Sequence, residues 1–186
     1  MQPTEREGWL LNFYRNSELH GALLMGKLAR TVRERTLLER VTEHCAVEAH
    51  HAALLTDVIG SLGTPLDPLL KPIQERYAAE GGVPTDLVGL LVLSETLEKR
   101  VLESYRAHLC RDDVHPKVRA ALAQILHEME DEEHGEHAGW IERELEKHPQ
   151  SLVEPAIAKW RRVDENVAGE LQREVDTRFA LEMVRP

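Results

Sequence analysis

The sequence predicts an all-α protein, in which four long helices form a bundle and a fifth helix follows at the C-terminal end. Apolar residues recur every three or four positions along most of the chain, which is the helix period. Residues 27–59 and 117–134 contain neither Gly nor Pro, the residues that most often end helices. Alternating apolar and polar runs and Asn-Gly turns, which indicate strands and hairpins, are absent from the sequence.

The first two predicted helices form a helical hairpin. Helix one covers residues 5–32, and helix two begins near Thr36 and ends at Gly60. The sequence TLLE from Thr36 has the pattern of a capping box. Each helix interrupts its own apolar stripe with an acidic residue near mid-length, Glu18 in helix one and Glu48 in helix two.

A Pro-rich crossover of 25 residues, 60–84, separates this hairpin from the next and has room for one short helix. It can span on the order of 30 Å or more, enough to return the chain to the other end of the bundle and make helices two and three parallel. Helix three begins near Thr85, and helix four runs from Pro116 through Trp140. We divide the chain into a bundle, residues 1–147, and a helical C-terminal extension, residues 148–186.

Composition limits the classes of partner. The net charge is −10, and 30% of the residues are charged, which disfavours binding to nucleic acid or to an anionic membrane. The longest apolar run, Leu87–Leu93, is too short to span a bilayer, and the first residues lack a signal-peptide pattern. Cys45 and Cys110 do not form a C-x-x-C pair. We therefore expect a cytoplasmic protein that attracts cations.

The acids within the apolar stripes are the main functional signal. An unpaired buried carboxylate is costly, and two cations shared by several carboxylates would remove that cost. In a helical hairpin, residues equidistant from the turn lie side by side. Glu18 and Glu48 are equidistant from residue 33, and Glu98 and Glu133 from the turn near residue 115. Glu95 is related in the same way to position 137.

The acidic stretch of helix four, EDEEHGEHAGW, leaves several choices of ligand. Rotation by about 100° per residue from Met129 places Glu133 and Glu136 on the apolar stripe and His137 at its edge. We expect Glu133 and His137 to be ligands, with Glu136 as the strongest alternative. A pair formed by Glu133 and His134 fits this rotation poorly.

In order and spacing, these residues resemble the ferritin-like diiron superfamily, and within it the rubrerythrin family most closely. That family has a lone Glu, then Glu-x-x-His, then Glu-x-x-Glu, then Glu-x-x-x-His. The resemblance covers roughly residues 8–145, and it implies a ferritin-like four-helix bundle. The matching residues are Glu18, Glu48 and His51, Glu95 and Glu98, and Glu133 and His137.

The resemblance implies a site for two iron ions. It implies Glu48 and Glu133 as bridging carboxylates, and Glu18 and Glu95 as terminal ligands. His51 and His137 would each bind one iron. Glu98 would be the additional carboxylate of rubrerythrins, which changes places with a histidine as the iron redox state changes. Carboxylate and imidazole ligands suit iron or manganese better than structural zinc, so manganese or a mixed pair also fits.

The expected reaction is the reduction of hydrogen peroxide or O₂, with Glu98, Tyr14 and Tyr105 as the catalytic candidates. Both tyrosines lie on the same stripes as the acids, where they could hydrogen-bond ligand carboxylates or be ordinary core residues. His44, one helical turn before Glu48, could line the same cavity. The four cysteines of a rubredoxin domain are absent from the sequence, so electrons must come from a separate donor.

Three other functions remain open at this point. A diiron monooxygenase would need an apolar pocket for an organic substrate beside the metals. A ferritin-type iron-oxidising storage protein would need a cage of many subunits. A helical scaffold without metal is the fourth possibility. We expect a homodimer, in which the fifth helix serves for docking or dimerisation.

Overall fold

The computed structural model describes residues 3–130 and 139–180, and their regular secondary structure is entirely helical, which confirms the all-α class. In that part of the chain there are seven helices. They are α1 (Glu5–Ala29), α2 (Arg35–Ser61), α3 (Ile73–Gly81), α4 (Leu87–Leu109), α5 (Pro116–Glu130), α6 (Trp140–Leu145) and α7 (Gln150–Arg178). Among them, none combines the length and apolar character needed to cross a membrane.

Polar side chains fix where the long helices begin. Thr4 Oγ1 accepts a hydrogen bond from the backbone N–H of Glu7, and the Asp86 carboxylate caps α4 in the same way. The prediction of a capping box at Thr36 is wrong. The Glu34 carboxylate accepts the N–H groups of Thr36 and Leu37, so the helix begins one residue earlier, and Glu34 replaces the Thr36 hydroxyl as the cap.

Helices α1 and α2 form the most extensive packing pair of the structure. They are antiparallel, since Arg15 Nε lies 3.2 Å from Thr56 Oγ1, whereas Cys45 Sγ lies 3.2 Å from the carbonyl oxygen of Ala22. α2 also packs against α5, α5 against α4, and α4 against α1. These four helices share one continuous hydrophobic core.

The segment between α2 and α4 is fastened to α1 by two buried asparagines. Asn12 donates to the carbonyl of Pro65 at 3.1 Å and accepts from the backbone N–H of Asp67 at 2.7 Å. Asn16 donates to the carbonyls of Asp67 and Leu70 at 2.9 and 2.8 Å. The crossover therefore covers the face of α1 that carries Asn12 and Asn16, and α3 is the short helix expected within it.

The predicted continuity of helix four through Trp140 is wrong. Gly139 has φ 68° and ψ 10°, a left-handed conformation that ends an α-helix and that glycine adopts without strain. α5 begins at Pro116 as expected, and a separate short helix, α6, begins at Trp140. The rotation argument for the ligands of helix four assumed an unbroken helix. Those residues, 131–138, lie outside the described part of the chain.

The C-terminal helix α7 packs against α3 and α4 rather than standing apart. Trp160 is 1% exposed, and its ring stacks on Tyr77 of α3. The Asp164 carboxylate accepts two hydrogen bonds from Arg100 of α4, at 2.8 and 2.6 Å, and one from the Tyr77 hydroxyl. One acidic residue thus joins three helices.

Candidate metal centre

Helices α1 and α2 bring three of the expected ligands together at the middle of their hairpin. Glu18 is 3% exposed, and its Oε2 lies 3.3 Å from Nδ1 of His51, which is 1% exposed. Glu48 neighbours Glu18 and lies against Gly21, where a Cβ atom would come within 2.3 Å of Glu48 Oε2. The register expected from the sequence, with Glu18 opposite Glu48, agrees with this arrangement.

Helix α4 adds a tyrosine and two acids. The Tyr105 hydroxyl donates to Glu18 Oε1. Glu98 Oε1 is buried and has no hydrogen-bond partner, although it lies 3.3 Å from His44 Nε2. Glu95 is held by an ion pair with Lys99 at 2.8 Å. Both acids line the same cavity, but only Glu98 is without a partner for one oxygen.

His44 is a more central member of the site than its sequence position indicates. Its Nε2 lies 3.2 Å from Glu48 Oε1, and Trp140 Nε1 donates to its Nδ1 at 3.2 Å. An indole N–H can only donate, so Nδ1 must accept and Nε2 carries the proton toward Glu48 and Glu98. The spacing of one helical turn from Glu48 was the available signal for this residue.

Glu128 of α5 was not expected from the sequence. Its Oε2 lies 3.2 Å from His51 Nε2, so the two ring nitrogens of His51 face two carboxylates, Glu18 and Glu128. The available signal was its position beside Met129, a residue of the apolar stripe. The expected Tyr14 does not contact these acids in the same way, since its ring packs edge-on against Tyr105 at 4.8 Å.

These side chains surround a cavity of about 200 Å³ between α2, α4, α5 and α6. The described residues that line it are His44, Val47, Glu48, His51, Glu95, Glu98, Lys99, Leu102, Glu128, Met129, Gly139 and Glu142. A second, much smaller space of about 20 Å³ lies on the α1 side of the acids. Glu48 and Glu98 line both spaces and therefore lie between them.

Burial and mutual repulsion disfavour the charged forms of these acids. Burial, followed by the charge of Glu18, raises the pKa of Glu48 well above its usual value. Burial also raises the pKa of Glu98 to about 8, with His44 opposing and the charges of Glu95 and Glu48 reinforcing the rise. Glu98 then holds its proton at pH 7, and a bound cation would take the place of that proton.

The donor types fit iron or manganese, because the site offers carboxylate oxygens and imidazole nitrogens without thiolates. Within residues 3–130 and 139–180, however, no three His, Cys, Asp or Glu side chains are arranged to hold a metal ion. The ligands expected from helix four, Glu133 and His137, lie outside those ranges, as do the alternatives Glu136 and His134. Of the expected ligands, those on α1, α2 and α4 lie within the described ranges.

Comparison with known proteins gives no assignment. The chain matches no family model, no curated protein and no solved structure. The resemblance to rubrerythrins therefore depends on the motif residues alone, and the function must be argued from the geometry of the site.

Proposed function

We propose that this chain is a ferritin-like four-helix bundle with a dinuclear iron centre, and that it reduces hydrogen peroxide or O₂ with electrons from a separate donor. One observation carries the proposal: Glu48 and Glu98 line one cavity together with His44 and His51, and the buried Glu18 contacts His51 from the α1 side. Burying like charges together destabilises a fold unless cations or protons neutralise them.

The proposed ligands are those expected from the sequence, with manganese or a mixed pair as the other metals that fit. Iron bound there would supply the electrons that break the O–O bond. Glu18, Glu48 and His51 would bind the cations, and Tyr105 would hold Glu18 in place through its hydroxyl. Glu98 would be free to change its position, because one of its oxygens has no partner. His44 would direct the proton on Nε2 at Glu48 and Glu98, the two acids that line both the larger cavity and the small space beside it.

The small space beside the acids favours a small oxidant over an organic substrate. Its apolar walls are formed by side chains that include Leu24, Met25, Leu97 and Val101. Its volume of about 20 Å³ is close to that needed for a single water molecule. An organic substrate does not fit this space and would have to enter the cavity of about 200 Å³, where most of the lining side chains are charged or polar, so the peroxide or O₂ reaction is the better fit.

Metal analysis of protein purified without added metal tests the proposal. We expect about two iron or manganese ions per chain, as in dinuclear carboxylate sites, and consumption of peroxide when a reductant is supplied. The absorption band of the oxidised iron pair should bleach on reduction and return with peroxide. Protein that neither carries metal nor takes up ferrous iron under anaerobic conditions would contradict the proposal. A native mass of many subunits would favour iron storage instead.

The substitution Glu48→Gln separates a metal centre from a metal-free scaffold. Without metal, the variant should be more stable than the parent protein, because a carboxyl group with a raised pKa has been removed. With ferrous iron, the parent protein should gain stability, whereas the variant should gain little or none. Glu43→Gln, at an exposed position of the same helix, is the matched control and should leave both quantities unchanged. An equal gain in all three proteins would place the iron elsewhere.

A further inference from the structure

A second cavity, of about 370 Å³, lies in a groove between α1, α4 and α7, apart from the acidic cluster. Its apolar walls include Leu10 and Phe13 of α1 and Leu171 and Val175 of α7. This volume falls in the range of small-molecule sites, which combine apolar walls with a few well-placed polar groups. We call this space the α7 groove.

The charged side chains of the α7 groove are mostly basic, although the whole chain is acidic. Arg100 is neutralised by Asp164 and Glu103, and Arg111 forms an ion pair with Asp113. Among residues 3–130 and 139–180, no carboxylate lies within ion-pair distance of Arg6, and the Arg6 Nε is buried without a hydrogen-bond partner. Since a buried guanidinium N–H without an acceptor is unfavourable, Arg6 is the one groove arginine whose charge is left for a ligand.

His108 supplies a second unpartnered polar group in the same groove. It is 4% exposed, and its Nδ1 is buried without a hydrogen-bond partner. Burial, followed by the charges of Arg111 and Arg6, lowers the pKa of His108 to about 4, so the ring is neutral at pH 7. The nearest carboxylate, Glu7, lies 3.8 Å from Nε2 and accepts a hydrogen bond from the backbone N–H of His115. Glu7 therefore lies on the Nε2 side of the His108 ring, and Nδ1 on the other side has no hydrogen-bond partner.

We propose that the α7 groove binds a small organic carboxylate, with its charged end at Arg6 and His108 and its apolar body between Phe13 and Leu171. A guanidinium binds a carboxylate through directed, charge-assisted hydrogen bonds. A carboxylate only accepts hydrogen bonds, so the neutral imidazole would contact it with the proton on Nδ1, after a small movement of the ring that opens this buried atom to the groove. The apolar walls would exclude inorganic anions, which gain nothing from them. The proposal is independent of the metal centre.

Benzoate, titrated into ¹⁵N-labelled protein and followed by NMR, is the probe. We expect saturable shifts confined to the groove residues of α1, α4 and α7. Arg6→Gln should weaken binding about tenfold, the typical effect of losing a hydrogen bond to a charged group. Arg30→Gln, at an exposed position at the end of α1, is the control and should bind benzoate as the parent protein does. Benzyl alcohol, an uncharged analogue, should bind at least tenfold more weakly than benzoate.

A second variant tests the same groove without removing a charge. Ala107 is exposed at the rim of the groove, so Ala107→Phe should block entry while the fold is kept, as circular dichroism would verify. Loss of benzoate binding in this variant supports the proposal even if Arg6→Gln proves unstable. Unsaturable shifts, equal binding of benzyl alcohol, or shifts that both variants leave unchanged would overturn it.

Discussion

At the residue scale, Gly21 shows how the candidate site depends on a missing side chain. A Cβ atom there would lie 2.3 Å from Glu48 Oε2 and 2.7 Å from its Cδ, both far inside contact distance. Gly26, on the same helix, has open space around the corresponding position. One glycine therefore admits a carboxylate between α1 and α2, whereas the other has no such role.

The two glycines provide a matched test. Gly26→Ala should raise the free energy of unfolding by roughly 0.5–1 kcal/mol, the helix-propensity gain of alanine over glycine. Gly21→Ala should not show this increase in stability and should bind less iron, because its Cβ atom would displace the Glu48 carboxylate. Urea unfolding and iron stoichiometry measure the two effects. If both alanines stabilise equally and iron binding is unchanged, Glu48 is not held at this position.

A second residue-scale test concerns the two tyrosines, which differ in what they contact. Tyr105 donates to the buried Glu18, whereas Tyr14 packs its ring against Tyr105. Tyr105→Phe should lower the free energy of unfolding by about 1–3 kcal/mol, because it leaves a buried acceptor without its donor. Tyr14→Phe, the control, should cost less and leave iron uptake unchanged. Equal costs from urea titration would show that the hydroxyl of Tyr105 contributes no more to stability than the hydroxyl of Tyr14.

The acids facing each other across the first hairpin could be predicted from the sequence, and the residues that surround them could not. Glu18 and Glu48 are equidistant from the turn, and packing two antiparallel helices brings such positions together. The approach of Glu128 to His51 depends on the distance and rotation between α2 and α5, which are far apart in the chain. Periodicity within one helix carries no such information.

At the element scale, helix ends set by strong local signals were predictable, and the others depended on particular side chains. The observed starts of α2 and α5 fall within one residue of expectation, since Pro116 is an intrinsic helix starter. The cap of α2 is different, because the Glu34 carboxylate accepts the N–H groups of Thr36 and Leu37, so Thr36 lies inside the helix and cannot be its cap. The break at Gly139 is a backbone conformation that the helix period of the sequence did not indicate.

The attachment of α7 to α3 and α4 can be tested through Asp164. Asp164→Asn should lower the free energy of unfolding by about 2 kcal/mol at pH 7, since charge-assisted hydrogen bonds from Arg100 and Tyr77 are weakened. Glu165→Gln, at the exposed neighbouring position, should have little effect. Urea unfolding of the three proteins measures the difference.

The difference in unfolding free energy between the parent protein and Asp164→Asn should grow as the pH rises from acid to neutral. Burial acts to raise the pKa of Asp164, but the hydrogen bonds from Arg100 and Tyr77 outweigh it and hold the pKa below its usual value. A lowered pKa contributes stability that is complete above the unfolded-state value, about 4, and is lost as pH falls through the folded value. The gap between parent and Asp164→Asn should therefore be largest at neutral pH and narrow below pH 4. A gap that is constant across this range would exclude the ion pair as its cause.

At the scale of the whole molecule, α7 belongs to the same core as the bundle. Trp160, Val163, Val167 and Val175 are buried in the hydrophobic cluster that also contains the apolar side chains of α1, α2, α4 and α5. If α7 detached from the bundle, these buried side chains would become exposed to water, and a large hydrophobic stabilisation would be lost. The helix is therefore expected to unfold with the bundle rather than before it.

We predict that α7 and the bundle formed by α1, α2, α4 and α5 unfold together in one transition. In the double variant Trp9→Phe and Trp140→Phe, Trp160 is the sole tryptophan and reports on α7, while far-UV circular dichroism reports on all helices. We expect both signals to give the same urea midpoint, as two-state unfolding requires. A fluorescence transition at lower urea would mean that α7 detaches first. Ferrous iron bound at the candidate metal centre should move both midpoints together, because its stabilisation is shared by every element that unfolds with the site.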